Sequence, residues 1–118
     1  MTHCMTLNPA PFDKIFNGTK TIELRLNDDK RKVIQVNDKI IFKHKENNKK
    51  SIVVKVIKLH CFHSFEELYN ELPLLKCGYT QDNIKTAKAD DMLEYYSTEQ
   101  QMIYGVLGIE FEIIEKCI

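Results

Sequence analysis

Three charged residues fall within a six-residue stretch of a β-favouring run: Lys20, Glu23 and Arg25, in Gly18-Thr19-Lys20-Thr21-Ile22-Glu23-Leu24-Arg25. Each brings its own chemistry. Arg25 is a forked donor suited to a phosphate or a base edge, while Glu23 can accept from a base amino group or act as a base towards water. Lys20 offers a point charge that holds a phosphate or polarises a carbonyl, and Thr21 adds a hydroxyl. The apolar positions Ile22, Leu24 and Leu26 set these charges beside a core, where an unpaired charge is too costly to bury. The octet therefore encodes either a structural ion pair or a ligand site. Strand alternation puts Thr21, Glu23 and Arg25 on one face, so Glu23 and Arg25 can pair directly. Lys20 joins them only if the backbone between Gly18 and Thr21 is irregular, which Gly18 permits.

Other chemistry-bearing residues are less convergent. His60-Cys61-Phe62-His63 with Cys77 invites a zinc reading, but alternation sends His60 to one side and Cys61 and His63 to the other, and no second close-spaced pair completes four ligands. Core packing for Cys61 and a polar rim for the histidines is the simpler reading, and no metal or other cofactor is expected. Tyr95, Tyr96, Tyr104 and Tyr79 are candidates to stack on bases, Tyr96 foremost, or core residues with a surface hydroxyl. No phosphate-binding glycine loop, Ser-His-Asp set or H-E-x-x-H pattern occurs.

The elements that must position these groups follow from pattern. At 118 residues the chain is expected to form one domain, residues 1–118. Residues 3–8 predict a first strand, and Pro9–Asn17 a short helix with Asn8 as cap, Pro9 in its first turn and Gly18 as its stop. Lys20–Leu26 predicts the second strand, and Asn27-Asp28-Asp29 a turn. After a short apolar piece at Val33–Val36, Lys39–Lys45 and Ser51–Phe62 form the clearest hairpin. Ser64 with Glu67 makes a capping-box start for a helix that Pro73 and Gly78 break. Residues 80–104 read as short helices, the last near Thr98–Tyr104, and Val106–Ile114 as the closing strand. The fold class is α+β. A small barrel with helices inserted between strands is expected, because closure removes unpaired edges.

The formal charge of zero hides an asymmetry. Residues 30–58 hold ten Lys/Arg against Asp38 and Glu46, whereas residues 64–115 hold eleven Asp/Glu against Lys76, Lys85 and Lys88. The basic stretch reads either as a solvated hairpin guarding an edge or as a face that draws polyanions. No apolar run approaches the roughly 20 residues of a membrane span. With no signal peptide at Met1-Thr2-His3-Cys4 and four dispersed cysteines, reduced thiols and a cytoplasmic location are expected.

Taken together, Gly18-x-Lys20-x-x-Glu23-x-Arg25 after a short helix, Val36-Asn37-Asp38-x-Ile40, Ser64-Phe65-Glu66-Glu67-Leu68 and Tyr104-Gly105-Val106-x-Gly108-Ile109 resemble the signature of small bacterial ASCH domains, of the PUA-like superfamily. The resemblance spans nearly the whole chain. It implies a small PUA-like β-barrel with a cleft between barrel and helices, lined partly by Lys20, Glu23 and Arg25, and it implies RNA or a nucleotide-like molecule as ligand. One enzymatic branch of the family is an amidohydrolase acting on N4-acetylcytidine through a Lys, a Thr three residues later and a downstream Glu. On this chain the Lys matches Lys20, the Thr position holds Glu23, Arg25 falls where that branch has Arg, and the nearest downstream candidates are Glu66 and Glu67. Three readings follow: a binding module using Lys20, Thr21, Glu23, Arg25 and Tyr96; an amidohydrolase using Lys20, Glu23 and Glu67; or a protein-interaction module docking a basic partner on the acidic half.

Overall fold

The computed structural model describes residues 1–118. Five strands form one mixed sheet in the order β1-β3-β4-β5-β2: β1 (Thr2–Leu7), β2 (Ile22–Leu26), β3 (Lys39–His44), β4 (Ser51–Phe62) and β5 (Val106–Cys117). β1 runs parallel to β3, and the other neighbours are antiparallel. No ladder joins β1 to β2, so the expected closed barrel is not formed and both strands remain sheet edges. The helices are α1 (Pro9–Phe16), α2 (Asp29–Lys32), α3 (Phe65–Glu71) and α4 (Thr98–Tyr104), with 3₁₀ turns at Leu74–Cys77, Ile84–Thr86 and Ala89–Glu94. None is long and apolar enough to cross a membrane.

Alternation along the strands feeds two apolar clusters. Leu107, Ile109 and Phe111 of β5 join Ile40, Phe42, Ile52, Val54 and Val56 in a core closed by Phe12 and Ile15 of α1. On the other side Ile22, Leu24, Leu26 and Val106 pack with Phe65, Leu68, Cys77 and Met92. Gly108 allows that second contact, since a Cβ there would lie 2.8 Å from Leu72 Cδ1.

Several local details differ from expectation for identifiable reasons. The Asn27-Asp28-Asp29 turn opens α2, where the Asp28 carboxylate caps the helix by accepting from the Arg31 amide. Asn8 precedes α1 without a side-chain cap bond. β5 continues to Cys117 because β4 is long enough to pair with it up to Ser51. That pairing also sets the basic and acidic halves side by side, with Lys55 opposite Glu112 and Lys58 opposite Glu110. Cross-strand opposite charges contribute only about 0.2–1 kcal/mol each, but they place part of the basic stretch against its own counter-charge.

Candidate functional site

The octet folds as a helix stop, a pinned turn and an edge strand. Gly18 takes a left-handed φ of 83° at the end of α1. The Lys14 carbonyl then accepts from the Thr19 and Lys20 amides, each at 3.0 Å, and the Thr21 amide donates to the Lys76 carbonyl. These bonds hold Lys20 and Thr21 out of the strand, which starts only at Ile22. The expected strand start at Lys20 is therefore corrected, and the irregular backbone that Lys20 needs is present.

Released from alternation, Lys20 turns to the same side as Glu23 and Arg25. Its Nζ lies 2.7 Å from Glu23 Oε1, while Arg25 Nε and Nη2 each donate to Glu23 Oε2 at 2.9 Å. The carboxylate is almost fully enclosed, with 5% of its side chain exposed against 10% for Lys20 and 16% for Arg25. Burial by itself raises the Glu23 pKa, but the two cations and their hydrogen bonds outweigh it and hold it below the ordinary carboxylate range. For Arg25 burial acts against the charge, and Glu23 with the Tyr96 hydroxyl outweighs it and raises the pKa. Gly78, at φ 112°, lies against the Lys20 stem, where a Cβ would meet Lys20 Cδ at 3.4 Å.

The triad floors a cleft of about 650 Å³. Its walls come from both sheet edges: Thr6 and Leu7 at the end of β1, and Glu23, Leu24 and Arg25 of β2. The opening thus occupies the place where a closing ladder would run. Its far wall is aromatic, carrying Tyr69, Tyr79, Tyr95 and Tyr96. Tyr79 donates to Asp91 Oδ2 at 2.7 Å, and its oxygen lies 2.7 Å from the Tyr69 hydroxyl. With the Tyr79 proton committed to Asp91, Tyr69 must donate to Tyr79, leaving lone pairs on Tyr69 as acceptors. Burial raises the Tyr79 and Tyr96 pKa values, so both are neutral near pH 7.

A family model of the ASCH domain matches residues 5–115. The chain belongs to the ASCH domain family. Solved structures agree with this ASCH domain over nearly its full length. The hypothetical protein PH0355 is 31% identical with a TM-score of 0.77, covering 97% of this chain and 100% of that one. Protein PF0455 from Pyrococcus furiosus is 25% identical with a TM-score of 0.72, covering 98% and 99% respectively. An ASCH protein from Zymomonas mobilis is 13% identical with a TM-score of 0.64, covering 97% of this chain and 71% of its own, and shares the fold. No curated protein matches the chain.

Of the residues singled out in sequence, this ASCH domain brings Lys20, Glu23, Arg25, Tyr79, Tyr95 and Tyr96 to the cleft and leaves Tyr104 out of its lining. It does not bring Glu67, which lies exposed on α3 with its amide donating to Ser64 Oγ, because the inward positions of that helix are filled by Phe65 and Leu68. Glu66 is likewise exposed. Thr21 is also outside, its carbonyl accepting from the Phe111 amide. His60 pairs with Glu110 at 2.9 Å, Cys61 is exposed, and no three His, Cys, Asp or Glu side chains converge as a metal site would require. Cys77 lines the cleft, its thiol pushed up by burial to about 11. Sequence reasoning missed Lys14, Tyr69 and Asp91. Tyr69 reads as a core position on α3, and only its hydroxyl hints otherwise.

Proposed function

We propose that the cleft binds a nucleotide or a modified nucleoside, free or displayed on RNA, with Lys20 and Arg25 as donors and the tyrosines as a stacking wall. The observation that carries this reading is the buried Lys20–Glu23–Arg25 triad at the floor of a cleft of ligand size. Two cations share one carboxylate, so the triad keeps one net positive charge. Glu23 occupies only one N–H of Lys20 and two of Arg25, and each cation retains further donors for a phosphate or carbonyl oxygen. Planar bases suit a wall of four tyrosines.

The hydrolytic alternative draws less support. A carboxylate accepting three charge-assisted bonds, with its pKa held low, is a weak base towards water near pH 7. Glu67 lies outside the cleft. The test is calorimetric titration with the four ribonucleoside 5′-monophosphates and N4-acetylcytidine, on wild type and on Arg25→Ala. The expected result is binding weakened tenfold or more in a variant that stays folded, in line with about 1.5–3 kcal/mol for a charged hydrogen bond. Unchanged affinity in the folded variant would refute the assignment of Arg25. Release of cytidine from N4-acetylcytidine, lost on Lys20→Ala, would replace binding by catalysis.

A further inference from the structure

The sheet also leaves main-chain polar groups without a strand partner beside the cleft. β2 is an outermost strand, bonded only to β5. In an antiparallel ladder, alternate residues direct both N–H and C=O towards the partner, and the residues between direct both away. The Phe111 amide donates to the Thr21 carbonyl, and the Asn27 amide donates to the Gly105 carbonyl. In the register Ile22↔Glu110 through Leu26↔Val106, these bonds assign residues 21, 23, 25 and 27 to the ladder with β5. Ile22, Leu24 and Leu26 therefore send their amide and carbonyl outward. Among those three only Leu24 lines the cleft, although its side chain is packed in the second core. It lies between Glu23 and Arg25. No turn, loop or side chain bonds to its amide or carbonyl.

We infer that the outward N–H and C=O of Leu24 read the polar edge of the ligand, so that the bound group is a nucleobase presenting an adjacent donor and acceptor. The inference rests on the nucleotide reading above and narrows it. In extended backbone the N–H and C=O of one residue lie side by side, matching the neighbouring N–H and acceptor on the Watson–Crick edge of every nucleobase. Phosphates and sugar hydroxyls lack that fixed in-plane pair. An edge strand left with unpaired groups is a liability unless it is covered, blunted or used. Here a base edge would use it at one residue.

The test is a titration of ¹⁵N-labelled protein with adenosine, cytidine, guanosine and uridine, alongside 1-methyladenosine, 3-methylcytidine, 1-methylguanosine and 3-methyluridine. The expected result for the tightest-binding parent nucleoside is a downfield shift of the Leu24 amide and slower exchange with solvent. Its edge-methylated partner should bind about tenfold or more weakly, the usual discrimination of a bidentate base contact. If the Arg25 Nε–H signal moves and the Leu24 amide does not, the ligand is bound but the inference is overturned. Equal affinity for parent and methylated nucleoside also overturns it. If no cleft signal moves with any nucleoside or with its 5′-monophosphate, the nucleotide reading itself fails.

Discussion

Removing Glu23 should be far more damaging than removing the whole triad. Glu23→Leu leaves the Lys20 ammonium and the Arg25 guanidinium, 10% and 16% exposed, largely buried with no counter-charge. Losing one member of a buried ion pair costs about 3–5 kcal/mol. At about 0.05–0.15 kcal/mol per residue the whole domain is stable by only about 6–18 kcal/mol. With an m-value of about 2 kcal/mol/M, the urea midpoint at pH 7 should fall by about 2 M. The triple variant Lys20→Met/Glu23→Leu/Arg25→Met removes every charge together with its desolvation cost, and such replacements are often neutral or stabilising by about 1–4 kcal/mol. Its midpoint should therefore return to that of the wild type or exceed it, while nucleotide binding by calorimetry is abolished. A loss below about 1 kcal/mol in Glu23→Leu would mean that the cations are well hydrated, and the reasoning would fail. A triple variant that still bound nucleotides would make the triad a scaffold and nothing more.

Acid should unfold the domain in a defined window. Glu23 and Asp38 both have folded pKa values below their unfolded ones, Asp38 at about 2 through its bonds to His3 and the Gln35 amide. A depressed carboxylate contributes stability above its unfolded pKa and loses it as pH falls towards the folded value. The urea midpoint should thus be steady near neutrality and drop between about pH 4 and 2, and Asp38→Asn should flatten part of that slope. Tyr79→Phe removes the hydrogen bond that lowers the Asp91 pKa, so the Asp91 side-chain ¹³C titration should move upward. Gly78→Val puts a β-branched side chain at φ 112° against the Lys20 stem. It should destabilise by at least about 1 kcal/mol and weaken nucleotide binding; unchanged values in both assays would refute the role given to Gly78. Ser64→Ala deletes the α3 cap bond to the Glu67 amide, with an expected loss of about 1 kcal/mol and no change in binding.

Much of the fold was legible because it rests on local pattern. The hairpin of β3 and β4, the Ser64 cap and the last helix at Thr98–Tyr104 appear where period and capping residues place them. The ion pair of Glu23 with Arg25 follows from their two-residue spacing. What was not legible depends on long-range arrangement. Glu67, three residues after a capping serine, carries no mark of which way its helix will face; Phe65 and Leu68 decide it by seeking the core. The Tyr69–Tyr79–Asp91 chain joins three segments that only the fold brings together. The basic stretch left a solvated hairpin and a polyanion-drawing face both open, because sequence does not reveal that β4 pairs with acidic β5; of its lysines, only Lys45 lines the cleft.

Barrel closure failed for a reason tied to the site. The argument for closure was that a sheet should not leave edges unpaired. Yet a ladder between β1 and β2 would run through the space now bounded by Leu7, Leu24 and Arg25. It would also seal the triad completely, taking three charges further from water when desolvation already opposes the charged forms of Glu23 and Arg25. And it would use up the outward amide and carbonyl of Leu24. Charges that are paired but still in reach of solvent, and an edge that is free at one residue, are compatible with each other only if the sheet stays open there. The Gly18 turn after α1 helps to keep it so, delivering Lys20 beside β2 by bonds to Lys14 and Lys76 rather than to another strand. The edge that a barrel would abolish is here the wall of the cleft.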